Sequence, residues 1–501
     1  MNEIIALEAH LADIRALAEA AAVLGWDQQT YMPPGGADSR AAQMAALSTV
    51  IHEKMTGPET ARRLDAAEAA ARGDGPDSDA AALVRVVRRD FDQAAKLPGN
   101  LVAEMARVTA LAHAHWADAR AASDWVRFAP WLEQILDLTR QAADHLGHGG
   151  ERYDALLDQY EPGTTTAEVR ALFEAIKPDT VALVQKIAAQ GPDAVDASPL
   201  SRFYDEDKQK AFGETVIKAL GYDFNRGRQD RALHPFCTSF GSGDVRITTR
   251  FDPHFLPMAL FGSIHETGHA LYEQGLNSRY PGALGGAASL GVHESQSRLW
   301  ENLVGRSRPF WNHFYAPLQA AFPDALGGTS EDQWYRAINR VAPSLIRVEA
   351  DEVTYNLHIL LRFEMETALL SGALPVADAP EAWNKKMEDY FGLTPPDDAA
   401  GILQDVHWSA GLIGYFPTYT LGNILSVQLY RQADKDSGGG LAAQIAAGDF
   451  APLLSWLREN VHQWGRKFLP KDLAVRATGG PLDPAPYLAY LQDKFGSVYR
   501  I

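Results

Sequence analysis

Cysteine is almost missing from this 501-residue chain. The single cysteine, Cys237, has no partner for a disulfide within the chain, which fits a reducing compartment. A lone thiol beside Pro235 and Phe236 is more often a small buried side chain than a nucleophile. We therefore predict neither a disulfide framework nor cysteine-based catalysis.

Positive charge and long apolar runs are also scarce. Lys and Arg number 46 against 64 Asp and Glu, a formal net charge of −18, and an acidic chain repels the phosphates of nucleic acid. No run of about 18 apolar residues, enough for a membrane-spanning helix, occurs. The stretch from Met1 to Ile5 lacks the basic and apolar regions of a signal peptide. We predict a cytoplasmic protein that binds neither nucleic acid nor a membrane.

Strand patterns are rare, and helical periodicity dominates. Leu7, Leu11 and Ile14 recur at the spacing of an amphipathic helix, whereas only Asp244 to Arg250 alternates and is rich in β-branched residues. The sequence therefore predicts a mainly α protein with a very small β-sheet. Further helices are predicted near residues 80–96, 100–121, 130–146, 166–189, 207–219, 257–274, 286–305, 331–370, 379–391, 420–433 and 483–497.

His265, Glu266 and His269 form the motif His-Glu-x-x-His. A helix brings residues four apart onto one face, so both imidazoles can bind one metal ion with Glu266 beside it. The preceding run from Pro257 is apolar, and unpaired polar groups in a buried helix are costly. A zinc ion would be a partner for them. The alternative is a helix with two otherwise satisfied histidines and a surface glutamate.

The third metal ligand has to come from another element, because a catalytic zinc site uses three protein ligands and leaves one position for water. Glu294 and Glu301 are one heptad apart on one face of a predicted helix. We favour Glu294, with His293 and Gln296 lining or orienting the site. Glu301 remains the alternative ligand and is otherwise a structural salt-bridge partner.

This constellation predicts metal-assisted hydrolysis. The ion polarises a carbonyl and lowers the pKa of its water towards about 7, and Glu266 takes the proton as general base and returns it to the leaving amine. The oxyanion needs further donors, which the polar segments 404–409 and 414–423 could supply. Their alternative interpretation is a turn with buried aromatic residues. No composition shift marks a boundary, so we predict one helical domain over 1–501, with an N-terminal helical part to about 200 and a metal and catalytic part over about 201–501.

Six short motifs carry a resemblance to a known family. They are His-Pro-Phe at His234, Asp-x-Arg-x-Thr at Asp244, His-Glu-x-x-His at His265, His-Glu-Ser-Gln at His293, Ile-Arg-x-x-Ala-Asp at Ile346 and Gly-x-x-Gln-Asp-x-His-Trp at Gly401. Together with segments 24–34 and 153–163, they resemble the thermostable (Taq-type) carboxypeptidases over nearly the whole chain. That family consists of zinc metallocarboxypeptidases that remove C-terminal residues from peptides.

The resemblance implies one Zn²⁺ per chain, with Co²⁺ as a possible substitute, and Glu294 as the third ligand. It also implies an almost all-helical, saddle-like fold with a deep substrate groove, peptide substrates and a homodimer. An exopeptidase should bind the terminal carboxylate of its substrate with a cation, best a planar guanidinium. Arg347 is the first choice and Arg246 the second. The other expected contacts are catalytic ones from His407 and Tyr419 and substrate-binding ones from Tyr415 and His234.

Two rival functions remain at this stage. A helical zinc oligopeptidase or dipeptidyl carboxypeptidase would share the metal half of the site and differ in how the groove ends. A non-catalytic binding module stabilised by zinc is the other alternative. Glu266 argues against that module, because a closed structural zinc site needs no general base.

Overall fold

The computed structural model describes residues 2–276, 279–280 and 282–501. Helices dominate this part of the chain, and the strands found in it form one small sheet, which confirms the predicted mainly α fold. None of the described helices is both long enough and apolar enough to cross a membrane. The α-helices in chain order are α1 Asn2–Thr30, α2 Ala37–Thr56, α3 Pro58–Ala71, α4 Asp79–Lys96, α5 Gly99–Ala122, α6 Trp125–Leu146, α7 Arg152–Leu157, α8 Thr166–Ala188, α9 Glu206–Ala219, α10 Leu256–Gly275, α11 Leu290–Arg298, α12 Arg308–Ala321, α13 Pro323–Leu326, α14 Glu331–Ile338, α15 Tyr355–Ser371, α16 Ala379–Phe391, α17 Pro417–Asp436, α18 Leu441–Ala446, α19 Ala451–Asn460, α20 Pro470–Thr478 and α21 Ala485–Tyr499.

The chain forms two compact units from interleaved segments. Unit 1 comprises Met1–Ala95, Asp196–Ile338 and Leu425–Pro481. Unit 2 comprises Lys96–Val195, Asn339–Ile424 and Leu482–Ile501. The single functional domain, with its division near residue 200, stays a prediction.

The sheet belongs to unit 1 and contains β1 Gln229–Arg231, β2 Cys237–Ser239 and β3 Val245–Thr249. The predicted strand is confirmed as β3, the central strand, which pairs parallel with β1 and antiparallel with β2. Val245 and Ile247 on β3 pack with Ile217 of α9 and Ala270 of α10 in one buried cluster. This apolar contact supports one side of α10, which is largely buried along its length.

Two predicted helices differ from the structure. The predicted helix over 331–370 is wrong, because α14 ends at Ile338 and α15 begins only at Tyr355. Pro343 in the intervening segment has no backbone N–H and disfavours helical geometry at the residue before it. The predicted helix over 286–305 begins later, at Leu290, where the Ser289 hydroxyl caps it by accepting from Val292 N. Its last part, Leu299–Gly305, is a π-helix.

Candidate active site

The His-Glu-x-x-His motif lies on α10, and the close approach of α11 depends on Gly268 within that motif. A Cβ added at Gly268 would lie only 2.5 Å from Ser297 Cα and 2.6 Å from the Gln296 carbonyl oxygen. Both distances are shorter than real Cβ contacts, so any side chain at this position would push the helices apart. Glycine therefore lets α11 bring Glu294 to the motif.

Three ligand-type side chains converge there. The Nε2 atoms of His265 and His269 lie 3.6 Å and 3.5 Å from Glu294 Oε2, and one ligand atom from each residue lies within 4.8 Å of the others. Two ligands bound at about 2.0–2.2 Å to a tetrahedral ion are about 3.3–3.6 Å apart. Among the described residues, no other group of His, Cys, Asp and Glu side chains meets the same criterion. The geometry and the nitrogen and oxygen donors suit a divalent cation such as zinc.

Glu301 contacts the opposite side of the His265 ring. Nδ1 of His265 lies 3.0 Å from Glu301 Oε2, and Glu301 also accepts from Arg298 at 3.2 Å and from Arg306 at 3.0 Å. Burial alone would raise the pKa of Glu301, but His265 and the two guanidiniums hold it well below its usual range. The ionised carboxylate therefore orients His265 so that Nε2 faces Glu294.

His269 is held by a second chain of contacts. Its Nδ1 lies 2.6 Å from His293 Nδ1, and His293 Nε2 lies 2.9 Å from Glu273 Oε1. Burial and the neighbouring His293 lower the pKa of His269 well below its usual value. A neutral ring with its proton on Nδ1 leaves the Nε2 lone pair available for a metal ion.

The remaining residues of the two helices differ in their surroundings. Glu294 accepts from Arg298 Nε at 2.7 Å and from Ser297 Oγ at 2.8 Å, so its carboxylate is fixed in place. Gln296 instead donates to Ser295 and lies 2.9 Å from His462 Nε2, within the buried interior.

Burial raises the pKa of Glu266 to about 7.

A second cluster lies in unit 2 and contains Arg347, in the short turn Arg347–Glu349. Arg347 donates to Asp405 Oδ1 from Nε at 3.1 Å and Nη2 at 2.8 Å, and to the Tyr355 hydroxyl at 3.1 Å. Asp405 also accepts from Arg362 Nε at 2.6 Å. Although burial alone would raise the pKa of Asp405, the two guanidiniums hold it well below its usual range. Two buried guanidiniums thus share the Asp405 carboxylate.

His407, Tyr415 and Tyr419 lie beside Arg347 in this cluster. The Tyr415 ring is 5.5 Å from both the His407 and the Tyr419 rings, and the Arg347 guanidinium lies 5.4 Å from the Tyr419 ring centre. Burial lowers the pKa of His407 to about 4. A neutral imidazole and phenolic hydroxyls are hydrogen-bond donors that add no charge to the cluster.

The last two predicted substrate contacts lie in unit 1. Arg246, on β3, donates to both carboxylate oxygens of Asp244 at 2.9 and 2.7 Å, and its guanidinium lies 4.3 Å from the Trp26 ring and 4.9 Å from the Phe240 ring. The guanidinium charge is therefore paired with Asp244, and two aromatic rings lie close to it. His234 is exposed in the connection between β1 and β2.

Comparison with known proteins identifies the family. The family model described as Carboxypeptidase Taq (M32) metallopeptidase matches residues 6–495. The chain belongs to the M32 family of metallocarboxypeptidases. The predicted resemblance is therefore confirmed, and with it the assignment as a metallopeptidase that acts on peptides and uses a divalent metal.

Curated relatives and solved structures of this family align over almost the whole chain. Thermostable carboxypeptidase 1 of Thermus thermophilus is 44% identical over 493 residues, and carboxypeptidase 1 of Bacillus subtilis is 38% identical over 484 residues; both alignments cover 96% of each protein. The crystal structure of the M32 carboxypeptidase from Deinococcus radiodurans R1 has a TM-score of 0.96 at 43% identity and covers 100% of both chains.

Two site contacts were not predicted from the sequence. The sequence predicts Glu301 as a metal ligand or a structural salt-bridge partner, and it carries no local signal for the pairing of Glu301 with His265. Glu273 follows His269 by four residues on α10, so helical spacing alone could have indicated that the two share a face. The bridging position of His293 between them depends on α11 and has no such local signal.

Proposed function

We propose that His265, His269 and Glu294 bind one zinc ion and that Glu266 is the general base in hydrolysis of the C-terminal peptide bond. The convergence of the two Nε2 atoms on one oxygen of Glu294, next to a buried glutamate, is the observation that carries this proposal. It assigns two carboxylates different roles. Glu294 is fixed by Arg298 and Ser297, whereas Glu266 has a pKa close to neutrality.

His265, His269 and Glu294 would hold the zinc ion, which would supply a Lewis acid for the scissile carbonyl and lower the pKa of water towards about 7. Glu266 accepts a proton from the attacking water and passes it to the nitrogen of the leaving amino acid. In the site without metal, burial raises the pKa of Glu266 to about 7, which makes it a stronger base than an ordinary carboxylate, whereas a bound cation would lower this pKa. His407 and Tyr419 donate hydrogen bonds to the developing oxyanion, and Tyr415 contacts the peptide backbone.

Arg347 is proposed to bind the terminal carboxylate of the peptide. Arg347 shares the Asp405 carboxylate with Arg362, so a substrate carboxylate would be a second anionic partner for the Arg347 guanidinium. Arg246 stays the second choice, since Asp244 already pairs with it through both oxygens. His234 is retained as a further substrate contact.

Amidating the C-terminus of a peptide substrate should therefore lower kcat/KM sharply. Loss of one partner from a desolvated, charged hydrogen-bonded pair costs about 2–5 kcal/mol, which corresponds to about 30-fold to several thousand-fold. Steady-state kinetics on one peptide, in free-acid and amidated forms, measures this. Equal cleavage of both forms would indicate an endopeptidase, and release of dipeptides would indicate a dipeptidyl carboxypeptidase.

Arg347→Ala should reproduce this loss on free-acid peptides. In that variant, amidation should make little further difference, because both changes remove the same interaction. Arg246→Ala is the matched comparison, with full sensitivity to amidation retained. If amidation instead lowers kcat/KM of Arg347→Ala as much as that of the wild type, and does not change kcat/KM of Arg246→Ala, then Arg246 is the cation that binds the terminal carboxylate.

Metal affinity should depend on Glu273 through His293. With the His269 proton on Nδ1, His293 accepts through Nδ1 and must donate from Nε2 to Glu273, so this carboxylate fixes both tautomers. Glu273→Ala should weaken zinc binding by about 10- to 100-fold, whereas Glu273→Gln keeps an oxygen acceptor and should retain most of the affinity. Competition with a chromophoric chelator measures both. Equal zinc affinity in the wild type and Glu273→Ala would show that Glu273 does not influence metal binding through His293.

The proposal also includes the features implied by family resemblance alone: zinc rather than cobalt as the bound metal, a deep substrate groove, a homodimer and a cytoplasmic location. Metal analysis of protein purified without added metal tests the first. Light scattering of the protein as it elutes from a size-exclusion column measures its molar mass and tests whether it is a dimer. A single species with the mass of about one chain would contradict the homodimer.

A further inference from the structure

The segment 392–416, between α16 and α17 in unit 2, contains neither helix nor strand, yet much of it is buried. Leu403, Trp408, Ile413 and Phe416 are each less than a tenth exposed. Turn hydrogen bonds within the segment satisfy part of its backbone, and side chains from elsewhere supply further contacts. This segment carries His407 and Tyr415, and what fixes it therefore bears on catalysis.

Glu366 of α15 is a fully buried carboxylate at this segment, only 1% exposed. Its Oε1 accepts from the Trp408 indole at 2.9 Å, and its Oε2 accepts from the Tyr153 hydroxyl at 2.7 Å and the Gly414 amide at 3.1 Å. All three partners donate, so the carboxylate is used on both oxygens as an acceptor. Burial raises the pKa of Glu366 to about 7, while these hydrogen bonds oppose that rise.

The two segment contacts of Glu366 adjoin the two candidate residues. Trp408 directly follows His407, and Gly414 directly precedes Tyr415. Gly414 has φ of 91°, and a Cβ there would lie 2.9 Å from the Leu156 carbonyl carbon. Only glycine can therefore present its amide to Glu366 at this point without strain.

Arg362, one turn before Glu366 on α15, holds the preceding part of the segment. Its guanidinium donates to Gln404 at 2.8 Å and to Asp405 at 2.6 Å. The two charged residues of α15 thus contact the segment on both sides of His407. Arg362 donates hydrogen bonds to residues that precede His407, and Glu366 accepts hydrogen bonds from residues that follow His407.

We propose that Glu366 is a positioning residue for peptide hydrolysis, which fixes His407 and Tyr415 by holding Trp408 and Gly414 at the two ends of the stretch between them. The proposal rests on the functions proposed above for His407 and Tyr415. Glu366 itself touches neither substrate nor metal in this account. A glutamine at this position cannot replace it, because its NH₂ group would face a donor in either orientation.

Glu366→Gln should therefore loosen the segment and slow hydrolysis. We expect backbone amides in peptides covering residues 405–416 to exchange with deuterium at least about 10-fold faster, and kcat/KM to fall by about 10- to 100-fold, mostly through kcat. Metal content should stay at the wild-type level. Assays are run where circular dichroism finds all variants fully folded, so that lost stability alone cannot lower the rate.

Glu364→Gln is the matched control, two residues away on the same helix. Glu364 accepts from Lys177 at 2.8 Å and from the Tyr390 hydroxyl at 2.6 Å, and both of these partners lie outside segment 392–416. Its exchange over 405–416 and its kcat/KM should match the wild type. If Glu366→Gln yields too little folded protein, Trp408→Phe removes only one donor to Glu366 and should cause a smaller loss in the same direction.

Unchanged exchange over 405–416 in Glu366→Gln would overturn the inference, as would faster exchange with kcat/KM within about twofold of wild type. In a His407→Ala background, Glu366→Gln should cost less than it does in the wild type, because both changes disturb the same group; a full additional loss would contradict this. Failure of the proposed function looks different. In that case, His407→Ala and Tyr415→Phe would both keep wild-type kcat/KM, although Glu366→Gln would still speed amide exchange over residues 405–416. His407 and Tyr415 would then have no role in hydrolysis, and Glu366 would have no positioning role.

Discussion

Replacing Glu266 with Gln should lower kcat by about 10²- to 10⁴-fold or more and leave the metal content near one ion per chain. The amide keeps the size and hydrogen bonding of the side chain but cannot accept a proton from water. Because His265, His269 and Glu294 converge without Glu266, metal binding should survive the change. Single-turnover kinetics and metal analysis on the same preparation measure both quantities.

Glu266→Asp is the graded comparison for this experiment. It retains a carboxylate but withdraws it by one methylene, so its kcat should fall between those of the wild type and Glu266→Gln. Loss of metal together with activity in Glu266→Gln would show that Glu266 is structural. Wild-type kcat in that variant would remove it from the mechanism altogether.

Glu294→Ala should purify largely free of metal and be inactive, whereas Glu301→Ala should keep measurable metal. Removal of a direct ligand abolishes the site, while loss of a residue that only orients a ligand typically lowers affinity by about 10- to 100-fold. The contrast is sharp here because the two carboxylates face opposite nitrogens of His265, Nε2 for Glu294 and Nδ1 for Glu301. Metal per chain after purification without added zinc is the measurement.

The reverse pattern, with Glu301→Ala metal-free and Glu294→Ala loaded, would exchange the two assignments. Glu294→Gln is a useful companion, because it retains one oxygen that can bind metal, although its NH₂ group cannot accept the hydrogen bond that Arg298 or Ser297 donates to one of the two carboxylate oxygens. It should bind metal more weakly than the wild type but better than Glu294→Ala. Equal metal content in all variants would place the metal elsewhere in the protein.

The motif on α10 was predictable from sequence because its geometry is local: four residues make one helical turn, and the helix boundaries follow from Pro257 and the apolar run. The third ligand is not local in this sense. Glu294 reaches the motif because Ser289 starts α11 and because Gly268 lets the two backbones approach within a distance that excludes a Cβ. Spacing alone does not exclude Glu301 as the third metal ligand, and the family resemblance favours Glu294.

The errors in the predicted fold have equally specific causes. Apolar residues continue from α14 towards α15, so periodicity joined them, although Pro343 interrupts the helix and the chain between them places Arg347 in a short turn. The π-helix Leu299–Gly305 has more residues per turn than the 3.6-residue pattern assumes. β1 and β2 have three residues each, too few for an alternating pattern to be recognised.

Contacts between distant residues were the least predictable part of the site. Arg362 and Glu366 lie on a helix without a motif, and several of their partners, among them Asp405 and Trp408, lie in a later segment without regular structure. Nothing in local spacing pairs a buried carboxylate with a particular indole or amide. Burial of the charges in the folded chain is what demands these partners.

The location of the metal tests the account most directly. An anomalous-difference map at the zinc absorption edge, from crystals of protein purified with its native metal, should contain one strong peak per chain. This peak should lie about 2.0–2.2 Å from Nε2 of His265, Nε2 of His269 and a carboxylate oxygen of Glu294. A peak coordinated by Glu301 in place of Glu294, or the absence of any peak at α10, would contradict it.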